Sequence, residues 1–245
     1  MNLPKSWNEI DVLQFKEIRE LYSIEEVFTR EIEILAALAD IPSDDLEDFD
    51  ISEVSDMLKD ITFINSEPSK NYKHTIGEYH YKPLNTLTVG EFIDLEHYFS
   101  VDYNQHVGHI ASIIYRKVMV NDWGETVWEP YEFKPSLRCS LFDEVCINDV
   151  YGILPEYLAY RNSFMTTYAN LFTDDDGSDE DEDDEQPATS DEAKEMALKK
   201  SEKKWGWERL IYSLCNEDLT KFNEVTNLSL IMTFNMLGMK KELNV

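Results

Sequence analysis

The stretch from Asp174 to Glu185 holds ten carboxylates in twelve positions, and no compact core can be threaded with such a run. Like charges at this density repel one another and bring nothing apolar to bury, so the run predicts a solvated, extended tether. A tether implies two bodies. The sequence therefore reads as a mainly helical domain over 1–172, an acidic disordered linker over 173–195 and a small Trp-rich helical module over 196–245.

At 245 residues and 42% apolar content the chain can bury one substantial core and a smaller second one. The formal charge is −28, and leaving out the ten carboxylates of the run still sets 40 acidic residues against 22 basic ones. The chain outside the run is thus acidic as a whole. A surface of that sign repels phosphate backbones and anionic lipid, which argues against nucleic acid and membrane and favours basic protein segments, although solubility alone is the plainer reason for the charge. The opening Met1-Asn-Leu-Pro-Lys-Ser-Trp-Asn-Glu9 lacks a basic stretch followed by an apolar run, and no window reaches the length of a membrane span, so a cytosolic protein is expected. Cys139, Cys146 and Cys215 are odd in number and show neither Cys-x-x-Cys pairs nor a disulfide framework. They are expected to be reduced and buried or half-buried.

Four helix starts are marked by a side-chain oxygen three residues before Glu or Gln, the spacing at which each satisfies a backbone donor of the other. Asp11 with Gln14 predicts a helix that shares Val12, Phe15, Ile18 and Tyr22 on one face. Ser23 with Glu26 predicts a second, with Phe28, Ile32, Leu35 and Ala39 in a stripe and Tyr22 and Val27 as a hydrophobic staple. Asp50 with Glu53 predicts a third, burying Ile51, Val54, Met57, Leu58 and Ile61; Thr88 with Glu91 predicts a fourth, carrying Phe92, Leu95 and Phe99.

Between the third and fourth, Tyr72 to Lys82 alternates as strands do, with Gly77 supplying the positive torsion of a two-residue hairpin turn. A second strand pair is expected from Val118 to Phe133, turning at Trp123-Gly124. Helical spacing returns through Leu137, Leu141 and Val145, then through Leu154, Tyr157, Leu158, Met165, Tyr168 and Phe172, with Pro155 at a first turn or a kink. In the carboxy-terminal module Trp207, Leu210, Ile211 and Leu214 form one helical face. Asn216-Glu-Asp218 breaks it, Leu219, Phe222 and Val225 make a short second element, and Leu230, Phe234 and Leu237 line a third. The fold class is α+β, predominantly helical, with one or two small hairpins.

Chemistry is thinly marked. His106 and His109 are three apart on a predicted helix, a spacing that suits a shared metal, but no third ligand follows, and Asp94 with His97 lacks the second copy a di-iron bundle needs. No metal site is assigned. Phosphate loops, dinucleotide fingerprints and the Gly-x-Ser-x-Gly elbow are missing from a chain with eight glycines, and an acidic field raises thiol pKa values. No catalytic residue and no cofactor are assigned, and the sequence is expected not to be an enzyme. Trp205, Trp207, Leu210, Ile211 and Phe222 are the candidate partner-binding residues, because a module of fifty residues buries too little to hide all its aromatic surface. For the two tryptophans, core and contact are equally good readings.

Ser6-Trp-Asn-Glu-Ile-Asp-Val-Leu-Gln-Phe15, Glu31 to Leu38, Leu87-Thr-Val-Gly-Glu-Phe-Ile-Asp-Leu95, Trp205-Gly-Trp-Glu-Arg-Leu-Ile-Tyr-Ser-Leu214 and Leu219-Thr-Lys-Phe222 together resemble the tail assembly chaperones of tailed bacteriophages. The likeness spans most of the chain, although Cys215-Asn-Glu-Asp218 stands where such proteins tend to have a glycine-rich break. The resemblance implies a non-catalytic protein that solubilises the tape-measure protein, or another phage tail protein, in the host cell cytoplasm and is absent from the mature virion. Self-association is compatible with it. Two alternatives stay open: a virion structural protein such as a tail or head-tail adaptor, and a small enzyme with an acidic site.

Overall fold

The computed structural model describes residues 3–131, 135, 138–171 and 206–243. The acidic run, the linker at 173–195, Trp205, Leu137, Phe172 and residues 132–134 lie outside the described residues. The fold is α+β and predominantly helical, with one four-stranded antiparallel sheet. Contacts divide the chain into two compact units, Met1–Leu84 with Asp94–Ser163, and Asn85–Ile93 with Phe164–Val245.

The first unit begins with α1 (Val12–Leu21), whose predicted cap is present: the Asp11 carboxylate accepts from Gln14 N at 2.8 Å and Gln14 Oε1 accepts from Asp11 N at 3.2 Å. Its Val12, Phe15 and Ile18 are buried, with the Phe15 ring edge-on to Trp7 at 5.7 Å and Tyr151 at 5.6 Å. α2 (Val27–Ala39) starts three residues later than its sequence signal. Ser23 and Ile24 donate back to Glu20 and Leu21 in a turn that closes α1, and the Glu26 carboxylate takes the free amides of Phe28 (3.2 Å) and Thr29 (2.5 Å) instead. Those hydrogen bonds hold the Glu26 carboxyl below the usual carboxylate range. The face of α2 that is buried is also rotated from the expected stripe: Ile34, Leu35 and Leu38 face the core, while Phe28 is 61% exposed.

α3 (Ile51–Asp60) has its predicted cap, Glu53 Oε2 accepting from Asp50 N at 3.1 Å. Its expected burial is corrected. No residue of α3 is buried, Ile51 is 90% exposed, Val54, Met57 and Leu58 are half-buried, and of the five only Ile61, just past the helix, is buried. α3 packs on α2 and on its own following turn, and these leave its first turn uncovered.

The sheet has order β1 (Thr75–Ile76), β2 (Tyr79–Tyr81), β3 (Tyr115–Val120), β4 (Thr126–Trp128). Both expected turns carry a left-handed glycine, Gly77 at φ +57° and Gly124 at φ +80°. Asn121 Oδ1 fixes the second turn by accepting from Trp123 N (3.0 Å) and Glu125 N (2.8 Å). β3 pairs with β2 through Lys117 and with β4 beyond it, so its outer half belongs to a two-stranded ribbon that exposes Val120 and Trp123.

α4 (Val89–Ser100) begins in the second unit and ends in the first, and its Thr88–Glu91 cap forms as predicted, at 2.8 and 3.3 Å. α5 (Val107–Ile114) is buried almost all round and forms the centre of the first unit against α6 (Cys139–Asp143). Here Leu141 is exposed and Phe142 is the buried residue, one position from the expected stripe, because α6 is barely more than one turn and contacts rather than periodicity set its inner face. α7 (Ile147–Val150) leads into α8 (Ile153–Thr167), with Pro155 inside the first turn. Within the first unit the buried Glu96 carboxylate is held by Tyr157 Oη (2.9 Å) and by Arg161 Nε (2.7 and 2.9 Å), so its charge is paired. Cys139 and Cys146 are half-buried and Cys215 is buried, with no disulfide among the three. Among the described residues no helix is long and apolar enough to cross a membrane.

Candidate functional site: an uncovered helical seam

The second unit is assembled from α9 (Gly206–Leu214), α10 (Phe222–Thr226) and α11 (Leu230–Leu243), together with residues 85–93 and the described end of α8. α9 ends where the sequence breaks its pattern: Asn216 and Glu217 both turn left-handed, at φ +51° and +63°. Ile211 and Cys215 are buried against Val225 and Val89, with Ile93, Leu214 and Phe222 packed at the margin. A two-bond clasp, Val89 N to Leu228 O at 3.0 Å and Leu230 N to Leu87 O at 2.9 Å, fixes the start of α11 to the strand-like residues before α4.

Of the candidate partner-binding residues, Ile211 is buried and Trp207, Leu210 and Phe222 are half-buried. Trp207 is half-buried, its ring edge-on to Phe92 at 5.1 Å and beside Phe234 at 6.4 Å, in a group that Phe164 completes at 5.1 Å from Phe92 and 4.9 Å from Phe234. Ile211 is 3% exposed, and Leu210 and Phe222 are half-buried. Ile211 and Phe222 share one apolar cluster and Trp207 an aromatic one, each half-buried residue keeping part of its surface in solvent. Leu219, expected to pack, is exposed at the tip of the turn before α10.

The uncovered apolar surface lies one helix further on. α11 is apolar on two opposite faces. Leu230 and Phe234 point inward as the spacing predicts, with Thr233 buried beside them, while Leu237, expected on the same face, is half-buried and lines the trough described next; Met232, Met236, Met239 and Leu243 form a second stripe that remains exposed, Met232 at 67% and Met236 at 57%. A helix turns about 100° per residue, so positions 230 and 232 lie roughly 200° apart. With Leu214 and Leu228 this stripe lines an open trough of about 560 Å³, whose polar margin is Ser213, Asn216 and Lys240. The intervals 4, 3, 4 along 232, 236, 239, 243 are those of a seam that packs against a second helix. Sequence reasoning followed the inward stripe alone; the same spacing test applied two positions later shows the other.

Elsewhere the polar groups are arranged for packing. His106 and His109 stand 5.5 Å apart between ring centroids with Tyr98 against both, at 5.1 and 4.8 Å. Burial, then neighbouring positive charge, lowers both imidazoles below their ordinary value. Among the described residues no group of three His, Cys, Asp or Glu side chains could hold a metal ion. The Cys139 thiol is pushed up by burial and then by Asp143, which keeps it protonated, and burial likewise raises Tyr72 to about 12 and Tyr157 well above the usual phenol value. Asp94 hydrogen-bonds the Tyr131 hydroxyl and is raised by burial. No family model matches this sequence, and no curated protein or solved structure matches it either.

Proposed function

We propose that this chain is a non-catalytic assembly chaperone that shields an apolar helical polypeptide until its final partner replaces it. The observation that carries the reading is the seam of α11: an apolar stripe at coiled-coil spacing, left open on an otherwise folded unit, is what a helix-binding surface needs. Methionine suits a client of variable sequence, because three rotatable bonds and a polarisable sulfur let it repack against different side chains. The acidic surface keeps such a protein in solution at net charge −28. The resemblance to tail assembly chaperones supplies the setting, with a bacteriophage tape-measure protein as client, in the host cytoplasm and outside the finished virion.

The test is affinity capture of the intact chain from infected cells, beside the double variant Met232→Asp with Met236→Asp. Both positions are exposed, so the variant is expected to unfold at the same urea concentration as the parent. The parent should retain a long helical tail protein and the variant should lose it, while purified particles should contain neither. Recovery of the chain in particles at fixed stoichiometry would instead make it a structural adaptor, and capture indifferent to both substitutions would remove the seam from the argument.

A further inference from the structure

The first unit carries a separate groove of about 640 Å³ between α2, the turn at Ser43–Asp48 and α3. Its walls are Phe28, Ile32, Leu46, Ile51, Val54 and Leu58. α2 is apolar on two faces for this reason: Ile34, Leu35 and Leu38 are spent on the core, and Phe28 and Ile32 on the groove. The rim is of one sign. Residues 25–60 hold thirteen Asp or Glu against Arg30 and Lys59. Lys59 Nζ is bound to Asp56 at 2.6 Å, and Arg30 turns back over the Tyr22 ring at 5.1 Å with a bond to Ile24 O at 3.4 Å. Among the described residues, the acidic side chains that line the groove, Glu33 and Asp44, form no ion pair.

We propose that this groove docks a basic amphipathic helix of a partner polypeptide, a second contact that rests on the reading of the chain as a cover for other polypeptides. Apolar walls select an apolar stripe, and the acidic rim selects Lys or Arg on either side of it. The walls are helices whose backbone donors are used internally, so the groove offers no sheet edge on which a strand could add. α3 has ten residues, about 15 Å, which matches two to three turns of a docked helix with anchors at i, i+4 and i+7. Anionic lipid and nucleic acid are repelled by the same rim, and a second copy meeting it through the same face would present the acidic α2 and α3 to it.

Fluorescence anisotropy of the full chain with a labelled Leu/Lys amphipathic peptide of about 18 residues tests the proposal, with a Leu/Glu peptide of the same pattern as control. The Leu/Lys peptide should bind, and the Leu/Glu peptide should not. Ile51→Asp and Phe28→Asp should each weaken binding by about tenfold. Asp44→Asn with Asp45→Asn should flatten its salt dependence, and Met232→Asp with Met236→Asp should leave it unchanged. Equal binding of both peptides, or affinity untouched by Ile51→Asp, overturns the proposal, as does concentration-dependent dimerisation that Ile51→Asp abolishes. Loss of client capture in the α11 variant with no Leu/Lys binding in the parent refutes the groove alone; Leu/Lys binding without any client refutes the chaperone reading alone.

Discussion

α1 and α3 are ten residues each, open with the same Asp-x-x-Gln or Asp-x-x-Glu cap and carry apolar residues at helical spacing. One is sealed and the other is open. α1 meets α2, α5, α6 and the turn at Tyr103–His106, and its Val12, Phe15 and Ile18 are buried; α3 meets α2 and the turn that follows it, and buries nothing within its own length. Cap and period are local properties that decide whether a helix forms and which side is greasy. What covers that side depends on segments far away in sequence, and in α3 the cover is missing within the described residues.

The largest effect expected from this contrast is in core truncation. Phe15→Ala should lower unfolding free energy by about 3–5 kcal/mol, because it empties a site ringed by Trp7 and Tyr151. Ile51→Ala should stay within about 0.5 kcal/mol, since the side chain is already in water. Urea titrations of the two variants measure both. A cost above about 1 kcal/mol for Ile51→Ala would mean that α3 is covered in solution, and the contrast would be lost.

A smaller effect separates the caps. Asp11→Ala should cost about 1 kcal/mol globally, because α1 cannot fray without opening the core. Glu53→Ala removes the acceptor for Asp50 N, yet α3 can melt locally, so faster amide exchange over residues 51–60 is expected with a global midpoint almost unmoved. Exchange in α3 as slow as in α1 would contradict this.

Much of the fold was legible for the reason that these caps illustrate. Asp11, Asp50, Thr88, Gly77 and Gly124 act on neighbours within four residues, and each acts as its local sequence predicts. Ser23 fails because its backbone closes a turn on the end of α1, and Glu26, three residues on, caps the helix at the amides of Phe28 and Thr29. Leu141 against Phe142 could not be settled in so short a helix, where one residue of phase is all that periodicity offers. The sharing of 85–93 with the second unit depends on the clasp of Val89 and Leu87 to α11, a pairing across some 140 residues with no local mark. The Met232 seam was written plainly in the sequence but masked by the stronger inward stripe of the same helix, and Trp207, for which core and contact were equal readings, is half-buried against Phe92.

The smallest effect concerns acid, and it again separates α1 from α3. His106 and His109 belong to the first unit near Lys16 of α1, and no histidine occurs between residues 25 and 60. Burial is the main cause that lowers both imidazoles, with Lys16 and the histidine neighbours adding to it and Asp102 and Asp143 opposing. As pH falls through about 6.5, the unfolded chain therefore takes up these protons before the folded one does, and stability must decline in that direction. Asp94 works the other way: its folded carboxyl, raised by burial, protonates before the unfolded one and restores stability at lower pH. The decline should thus show between about pH 7 and pH 6, as a lower urea midpoint, and His106→Gln with His109→Gln should flatten it. Both rings are partly solvated, so the shift should be smaller than that of the Asp11 cap. Amide exchange in α1 should quicken over the same interval while α3 keeps its rate; quickening in α3 instead would place the acid-sensitive element on the open helix and undo the assignment of these histidines to the sealed one.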